Sequence, residues 1–383
     1  MKKSTKGLFC LTLLLGLLCG CSTPNEEGVE YVVYKKSKNE LYKAPIVEDI
    51  RWIFLETRDD VLIGESPGLR ITDENIYAID VNGSGKIFRF DHSGRFINTI
   101  GTIGRGPNEY SSIYDVVIPE NGTVEIFSRP SNAIIRYLFS EDGLFLGRKE
   151  YEHGGNVAKT DSAYWVYTGY GNGIRPERLV KIDTSGRELN GFLPSEAKVI
   201  HVSERWPFTQ NNGRTFMRES FNSVVYELSE SGVQPVYRFD FGTLNVPAKY
   251  YEYGDLFAAA EALFSQPFIE IQYFAENGKY ALIKGVVNKG FANGDDDNVR
   301  FIIGIKEKSG GGRWYWFDIE SEEDTLFHYP VIALTDKSEL YCLVNPNKIL
   351  SMDDSLKESL FRNEEFKNIQ MDDNYIVLVL QLK

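Results

Sequence analysis

The sequence predicts an all-β fold: a six-bladed β-propeller closed by pairing of its N- and C-terminal strands, with short helical insertions. Three observations carry this. A hairpin pattern repeats, short β-rich runs surround each copy, and each end of the body leaves a strand without a blade. The repeat is Phe90-Asp91-His92-Ser93-Gly94-Arg95-Phe96, an apolar run, a polar turn closed by Gly, then a second apolar run. It returns as Phe139-Ser140-Glu141-Asp142-Gly143-Leu144-Phe145, as Ile182-Asp183-Thr184-Ser185-Gly186-Arg187-Glu188, and as Leu228-Ser229-Glu230-Ser231-Gly232-Val233. The four glycines are spaced by 49, 43 and 46 residues. Short strands at that period mark propeller blades of four strands each.

Composition agrees. The chain has 383 residues, a length one propeller readily uses. Aromatics make up 13% of it and Gly is frequent, which favours β structure with tight turns over helix bundles. A net charge of −13 argues against a nucleic-acid partner, which needs a basic face. Three of the four cysteines, Cys10, Cys19 and Cys21, lie at the extreme N-terminus, and Cys342 is alone in the body. No disulfide framework or cysteine metal cluster can form there.

Residues 1–20 read as a signal peptide. Lys2, Lys3 and Lys6 form a basic region, and Leu8 to Leu18 is apolar but too short to span a bilayer comfortably. Leu18-Cys19-Gly20-Cys21 follows and resembles a bacterial lipobox, with Cys19 a mild departure from the usual Ala or Ser. That makes Cys21 the expected lipidation site and the membrane an expected partner, since acyl chains add about 0.8 kcal/mol of affinity per buried methylene. Residues 21–44 are then a lipidated tether with an N-terminal strand at Val29 to Tyr34. Glu26-Glu27 resembles the surface-export signal of some gut-anaerobe lipoproteins, or is a solvated linker. The expected address is the cell envelope, an outer-membrane lipoprotein facing the periplasm or the cell surface.

Residues 45–383 form the propeller. Ile50–Leu55 is a strand by period-two alternation. Four blades follow: Leu69–Ile71, Asn75–Asp80, Lys86–Asp91 and Arg95–Ile100; then Ile113–Ile118, Thr123–Ser128, Ala133–Phe139 and Leu144–Lys149; then Asn156–Lys159, Ala163–Thr168, Arg178–Asp183 and Glu188–Leu193; then Pro207–Gln210, Arg214–Arg218, Ser223–Leu228 and Val233–Phe241. In each, the Gly turn joins the third and fourth strands and supplies the positive φ of a tight hairpin. Leu256–Phe264 reads as a short helix. Ile269–Ala275 and Lys279–Lys284 form a hairpin, Gly285–Asn298 a polar insertion, and Arg300–Ile305, Trp314–Ile319 and Thr325–Tyr329 strands of unassigned blade. Val331–Leu334 and Glu339–Val344 open a last blade, Ser355–Asn368 reads as an exposed helix, and Tyr375–Leu382 is the final strand. That blade lacks a fourth strand, and Ile50–Leu55 is its natural donor.

Phe88-Arg89-Phe90-Asp91 through the Gly94 turn, then Ile100-Gly101-Thr102-Ile103-Gly104-Arg105-Gly106-Pro107-Asn108-Glu109-Tyr110, resembles the Gly-x-Gly-Pro-x-Glu-Tyr stretch of six-bladed β-propeller lipoproteins of gut anaerobes. Leu55-Glu56-Thr57 and Leu62-Ile63-Gly64 match that family's opening. The resemblance implies an NHL-like propeller on a lipid anchor. It departs at Asn374-Tyr375, where an Asn-Pro step is usual, and it supplies no catalytic residues.

No catalytic motif stands out. Gly104-Arg105-Gly106 is followed by a strand, not the helix a phosphate loop needs, so it reads as an interblade turn. Asn293–Asn298 lacks the Gly and distal Glu of an EF-hand. His92, His153, His201 and His328 have no paired-His spacing, and no Gly-x-Ser-x-Gly elbow is present. No cofactor, metal ligand or catalytic residue is assigned. One constellation is richer. Connections from fourth strand to next blade, and from second to third strand, share one face. That face collects Arg105, Glu109, Tyr110, Arg129, Tyr170, Arg175, Arg205, Trp206 and Arg218, with Glu219 beside the last. Arginines there offer planar donors to a carboxylate or sulfate and aromatics a surface for a sugar, or the arginines pair with local acids and hold loops together. The leading expectation is a membrane-anchored binding module presenting this rim to a glycan, peptide or protein. The alternatives are a metal-dependent hydrolase or lactonase-like enzyme using the central channel, where Asp115 is the main carboxylate, and a scaffold subunit of an envelope complex.

Overall fold

The computed structural model describes residues 26–37, 41–119, 121–130, 133–152, 154–160, 162–169, 175–195, 206–290, 300–309, 312–320, 332–351, 366 and 368–383. The signal peptide, Cys21, the acidic loop Asn293–Asn298, the strand Thr325–Tyr329, nearly all of the helix Ser355–Asn368, and Tyr170, Arg205, His153, His201 and His328 lie outside them.

Two strands precede the repeats: β1 (Glu30–Val33) and β2 (Val47–Phe54). The first blade holds β3 (Gly68–Ile71), β4 (Asn75–Asp80), β5 (Lys86–Asp91) and β6 (Phe96–Thr99). The second holds β7 (Asp115–Val117), β8 (Thr123–Ser128), β9 (Ile134–Ser140) and β10 (Phe145–Tyr151). The third holds β11 (Asn156–Lys159), β12 (Ala163–Tyr167), β13 (Glu177–Asp183) and β14 (Glu188–Pro194). The fourth holds β15 (Phe208–Asn211), β16 (Arg214–Arg218), β17 (Val224–Ser229) and β18 (Gly232–Asp240). Helix α1 (Leu256–Leu263) precedes the fifth, formed by β19 (Phe268–Glu276), β20 (Tyr280–Asn288), β21 (Arg300–Glu307) and β22 (Trp314–Glu320). The sixth begins with β23 (Ile332–Leu334) and β24 (Glu339–Val344), continues past α2 (Pro346–Leu350) into β25 (Ile376–Leu382), and is completed by β2. The fold is the expected six-bladed propeller.

Closure runs through β25, which pairs with β24 on one side and β2 on the other. Ile50 lies opposite Leu380 and Ile53 opposite Val377. Core clusters fill the spaces between neighbouring blades. Leu282, Ile303 and Phe317 of the fifth blade meet Leu340, Leu378 and Leu380 of the sixth, while Ile53 and Val377 meet Ile76 and Phe88 of the first.

The sequence left one strand without a partner, and its place is unusual. β1 pairs in parallel with β18 and makes the fourth blade five-stranded. Its Val32 packs with Phe239 and Trp316, so β1 fills the wedge between the fourth and fifth blades. Glu30 pairs with Lys306 and accepts from Trp314 Nε1 at 2.9 Å, and Tyr34 bonds Asp318, all on the fifth blade.

The hairpin repeat has a specific chemistry. Asp91 accepts from the Ser93 amide and hydroxyl, at 2.9 and 2.6 Å, and from the Arg95 amide and Nε, both at 3.1 Å. Asp183 repeats all four contacts with Ser185 and Arg187. Gly94, Gly143 and Gly186 close these turns with φ of 86°, 80° and 87°. At Gly94 there is a second reason for Gly: a Cβ there would sit 2.0 Å from the Phe54 carbonyl oxygen, on the closing strand.

Gly94→Ala is therefore expected to lower stability by at least about 1 kcal/mol, from its φ and the contact together. Gly213→Ala, with φ of 68° but nothing within 4 Å, should show the φ cost alone. Urea titration should rank the two in that order; equal losses would remove the clash argument. The Asp183 carboxyl pKa is lowered to about 2, first by the Ser185 hydroxyl, which works against burial, and further by the Arg187 and Ser185 amides and the Arg187 guanidinium. Its folded value is below the unfolded one, so its stabilisation is present above about pH 4 and is lost as pH falls toward 2. Carbon NMR of labelled aspartates should show a carboxyl midpoint near 2 that moves upward in Ser185→Ala.

Candidate functional site

An antiparallel blade alternates its connections between two ends. Turns between first and second and between third and fourth strands share one face, the turn face. The remaining connections share the other, the loop face, where the channel between the innermost strands opens.

The residues expected on the loop face fall into three groups. Some are structural. Tyr110 is fully buried, packed edge-on to Phe139 and Tyr137 in the core between the first and second blades. Its apolar ring gains more from that core than from solvent. Glu109 folds back and accepts from the Gly106 amide at 2.7 Å, which fixes the Gly-rich connection. Arg218 is buried and donates to the Ile271 carbonyl at 2.9 Å, tying the fourth blade to the fifth. Its neighbour Glu219 is fully buried in a two-pronged pair with Arg178 of the third blade, at 2.7 and 3.0 Å. These two were expected on a ligand-facing rim; the structure uses them to join blades, because a buried guanidinium or carboxylate needs its partners inside the protein. Others are held locally but remain at the surface. Arg175 makes a two-pronged contact with Glu188, at 2.8 and 2.7 Å, and Arg129 lies over the Tyr114 ring and donates to its hydroxyl at 3.1 Å. Arg105 is exposed and has no partner among the described residues.

Trp206 is the residue that reaches the channel. It precedes β15 of the fourth blade, at φ of 57°, yet its indole lies on Gly68 of the first blade, across the ring. A Cβ on Gly68 would fall 1.8 Å from the indole Cη2, so only Gly fits there. The same indole lies 5.1 Å from the guanidinium of Arg70. Its Nε1 is buried with no hydrogen-bond partner.

Arg70 was not singled out from sequence. It is the third residue of the innermost strand β3, between Leu69 and Ile71, and a polar residue within so short an inner strand was the available signal. One guanidinium nitrogen donates to the Leu69 carbonyl at 3.0 Å, and another stands 3.9 Å from Asp115 of the second blade, beyond hydrogen-bond reach. Thirty per cent of the side chain stays accessible along the channel, but protein walls the charge, and burial pulls its pKa down against the pull of Asp115 and Tyr273. Asp115 itself accepts from the Val116 and Val157 amides, at 2.8 and 2.9 Å, and from Asn156 Nδ2 at 3.3 Å. Burial raises its pKa, and Arg70 opposes this. Asn156, 1% exposed, keeps an Oδ1 with no donor. Among the described residues, the channel thus presents a guanidinium with spare donors beside an indole.

No group of three His, Cys, Asp or Glu converges among the described residues. The carboxylate of Asp115 faces the Arg70 guanidinium at 3.9 Å and accepts from two backbone amides and Asn156. A second concavity of about 700 Å³ lies between β1 and the fourth blade, lined by Tyr31, Phe221, Phe239, Phe241 and Tyr251.

Breaking the Arg178–Glu219 pair should separate structural from ligand-binding arginines. Glu219→Ala is expected to cost about 3–5 kcal/mol, because it leaves Arg178 buried and uncompensated. Arg105→Ala should stay within about 0.5 kcal/mol of the parent. Chemical denaturation checks both; a mild Glu219→Ala would mean that the pair is not what joins these blades.

The comparisons with known proteins bear on fold and family. A Bacteroides fragilis protein designated “putative exported protein” has a solved structure that matches with a TM-score of 0.74 at 17% identity, over 92% of this chain and 100% of that one. At that identity the likeness is one of fold. A Bacteroides caccae protein of unknown function reaches a TM-score of 0.37 at 13% identity, over 57% of this chain and 70% of that one. The extracellular domain of a B. thetaiotaomicron hybrid two component system reaches 0.37 at 10% identity, over 76% and 40%. No curated protein matches the chain. The family model described as “Domain of unknown function (DUF4934)” matches residues 29–381, and the chain belongs to that family.

Proposed function

We propose that the protein is a binding module of the cell envelope, lipid-anchored through Cys21, whose loop face receives an anionic group of a glycan or peptide in the channel mouth. The observation that carries this reading is Arg70. Its guanidinium meets residues of three blades: Leu69 of its own, Asp115 of the second, and Trp206 at the start of the fourth. With one donor used on Leu69 and the nearest carboxylate 3.9 Å away, it has capacity for a planar oxyanion. The Trp206 indole, 5.1 Å from the guanidinium, gives the ligand an apolar surface beside it. Exposed Arg105 on the connection between the first two blades adds a second cation on the same face.

The Cys21 anchor rests on the lipobox-like segment. An outer-membrane address, facing periplasm or cell surface, rests on that anchor and on the gut-anaerobe resemblance. Glu26 has a structural use as well: it pairs with Arg238 of β18 at 3.2 Å.

The test is a calorimetric screen of residues 22–383 against carboxylated and sulfated oligosaccharides and acidic peptides. A ligand found this way should bind about 10- to 100-fold more weakly to Arg70→Ala, the range of a charge-assisted hydrogen bond. Arg70→Lys should recover little of it, since an ammonium lacks the planar fork. A ligand whose affinity ignores Arg70 would move the site elsewhere on the ring.

A further inference from the structure

The connection between the fourth and fifth blades ends in an apolar tip that the propeller does not use. Helix α1 buries Ala259 and Leu263 against Tyr250 and Phe268. Asp255 caps its start by accepting from the Ala258 amide at 2.9 Å. That arrangement turns Leu256 and Phe257 outward, 57% and 83% exposed, with Tyr253 beside them at 38%. No other large apolar side chain among the described residues is as exposed as Phe257. A rigidly capped helix holding three such side chains in solvent marks a contact surface.

The anchor tells what covers it. β1 is fixed in the wedge between the fourth and fifth blades, the two blades that α1 connects. Just before β1, the Glu26–Val29 turn, closed by the Val29 amide on the Glu26 carbonyl at 3.1 Å and with Gly28 at φ of 85°, reverses the chain. β1 runs parallel to β18, from turn face toward the loop face where α1 sits, and the reversal brings Glu26 back alongside β1, onto Arg238, which lies opposite Tyr31. Cys21 is then only five positions before Glu26, with four residues between them. That stretch reaches at most about 18 Å when fully extended.

We infer that Tyr253, Leu256 and Phe257 form a second membrane contact, inserting into the bilayer that holds the acyl chains of Cys21. This rests on the lipid-anchor reading. The flanking acids Glu252, Asp255 and Glu261 are exposed, so the insertion is apolar in origin and disfavours anionic lipid. A contact of this kind fixes the orientation of the ring. The rim of the fourth and fifth blades rests on the bilayer, and the opposite rim, with Arg105, stands away from it.

The experiment uses the full-length acylated protein, reconstituted in phosphatidylcholine vesicles, with Cys342 replaced by Ala. An environment-sensitive NBD probe is placed at Phe257→Cys, and in separate samples at Asn108→Cys and Ser231→Cys. Mass spectrometry first establishes the acyl chains on Cys21, so a missing anchor is recognised separately. With the anchor present, the probe at 257 should shift blue and be quenched by brominated lipid, and the probes at 108 and 231 should not. Adding phosphatidylglycerol should weaken the effect at 257. Because Phe257→Cys alters the tip, a second sample keeps Phe257 and carries the probe at Ser265→Cys, with Leu256→Asp and Phe257→Asp as the paired variant. Quenching at 265 should be present in the parent and lost in the variant. An acylated protein whose probes at 257 and 265 both report water overturns the inference, as does quenching equal at all positions.

Discussion

The structure depends on one pairing, that of β2 with β25. Each of the first five blades is a local meander that sequence-adjacent turns can build. The sixth is not, because its outer strand comes from the other end of the chain. Until β2 docks, β25 has an unpaired edge, and the last and first blades have no reason to stay together. The pairing therefore converts a row of sheets into a ring. The ring brings Trp206, at the start of the fourth blade, onto Arg70 of the first, with Asp115 of the second beside it.

Around the ring, the hairpin motif does a second job. Two residues before Asp91 stands Arg89, which crosses to Glu141 in the turn of the next blade, at 2.6 Å. Two residues before Asp183 stands Lys181, which crosses to Glu230 in the turn after that, at 2.8 Å. The motif thus alternates. Asp-x-Ser-Gly-Arg turns in the first and third blades are preceded by the cation, and Ser-Glu turns in the second and fourth receive it. Between the second and third blades the link is weaker and exposed, from Lys149 to the Thr184 carbonyl at 3.1 Å. Deeper pairs, such as Arg178 with Glu219, add to these latches where water is excluded. The strand that leads into the hairpin of the first and third blades thus also latches each of them to the blade that follows.

Much of this was legible in the sequence because its determinants are local. A Gly at positive φ, flanked by alternating apolar residues, defines a hairpin within ten residues, and the four turns sit where Gly94, Gly143, Gly186 and Gly232 put them. The closing pair, β2 with β25, was legible too, because strand counting left Ile50–Leu55 without a blade and the last blade without a fourth strand. Other features were not. β1 looked like part of a tether, and its parallel pairing with β18 depends on a wedge between blades that no local pattern encodes. Arg218 and Tyr110 looked like rim residues because loop position was visible but burial was not. Arg70 looked like one polar residue in an ordinary strand. Its significance comes from an indole more than a hundred residues away, reaching over Gly68.

The charge of the molecule sharpens what that arrangement can select. A chain with a net charge of −13 repels anions at long range. At physiological ionic strength that repulsion decays over about 8 Å. On the reading proposed above, the Arg70 guanidinium therefore acts only on a ligand that is already close, where partial burial strengthens the attraction. On that reading, entry is driven by something other than charge, and the indole of Trp206 beside Arg70 is the apolar surface on hand. The expected ligand is one with an apolar or stacking body and a single buried acidic group. A polyanion would meet the field of the whole protein with each further charge, while only one of its groups could reach Arg70.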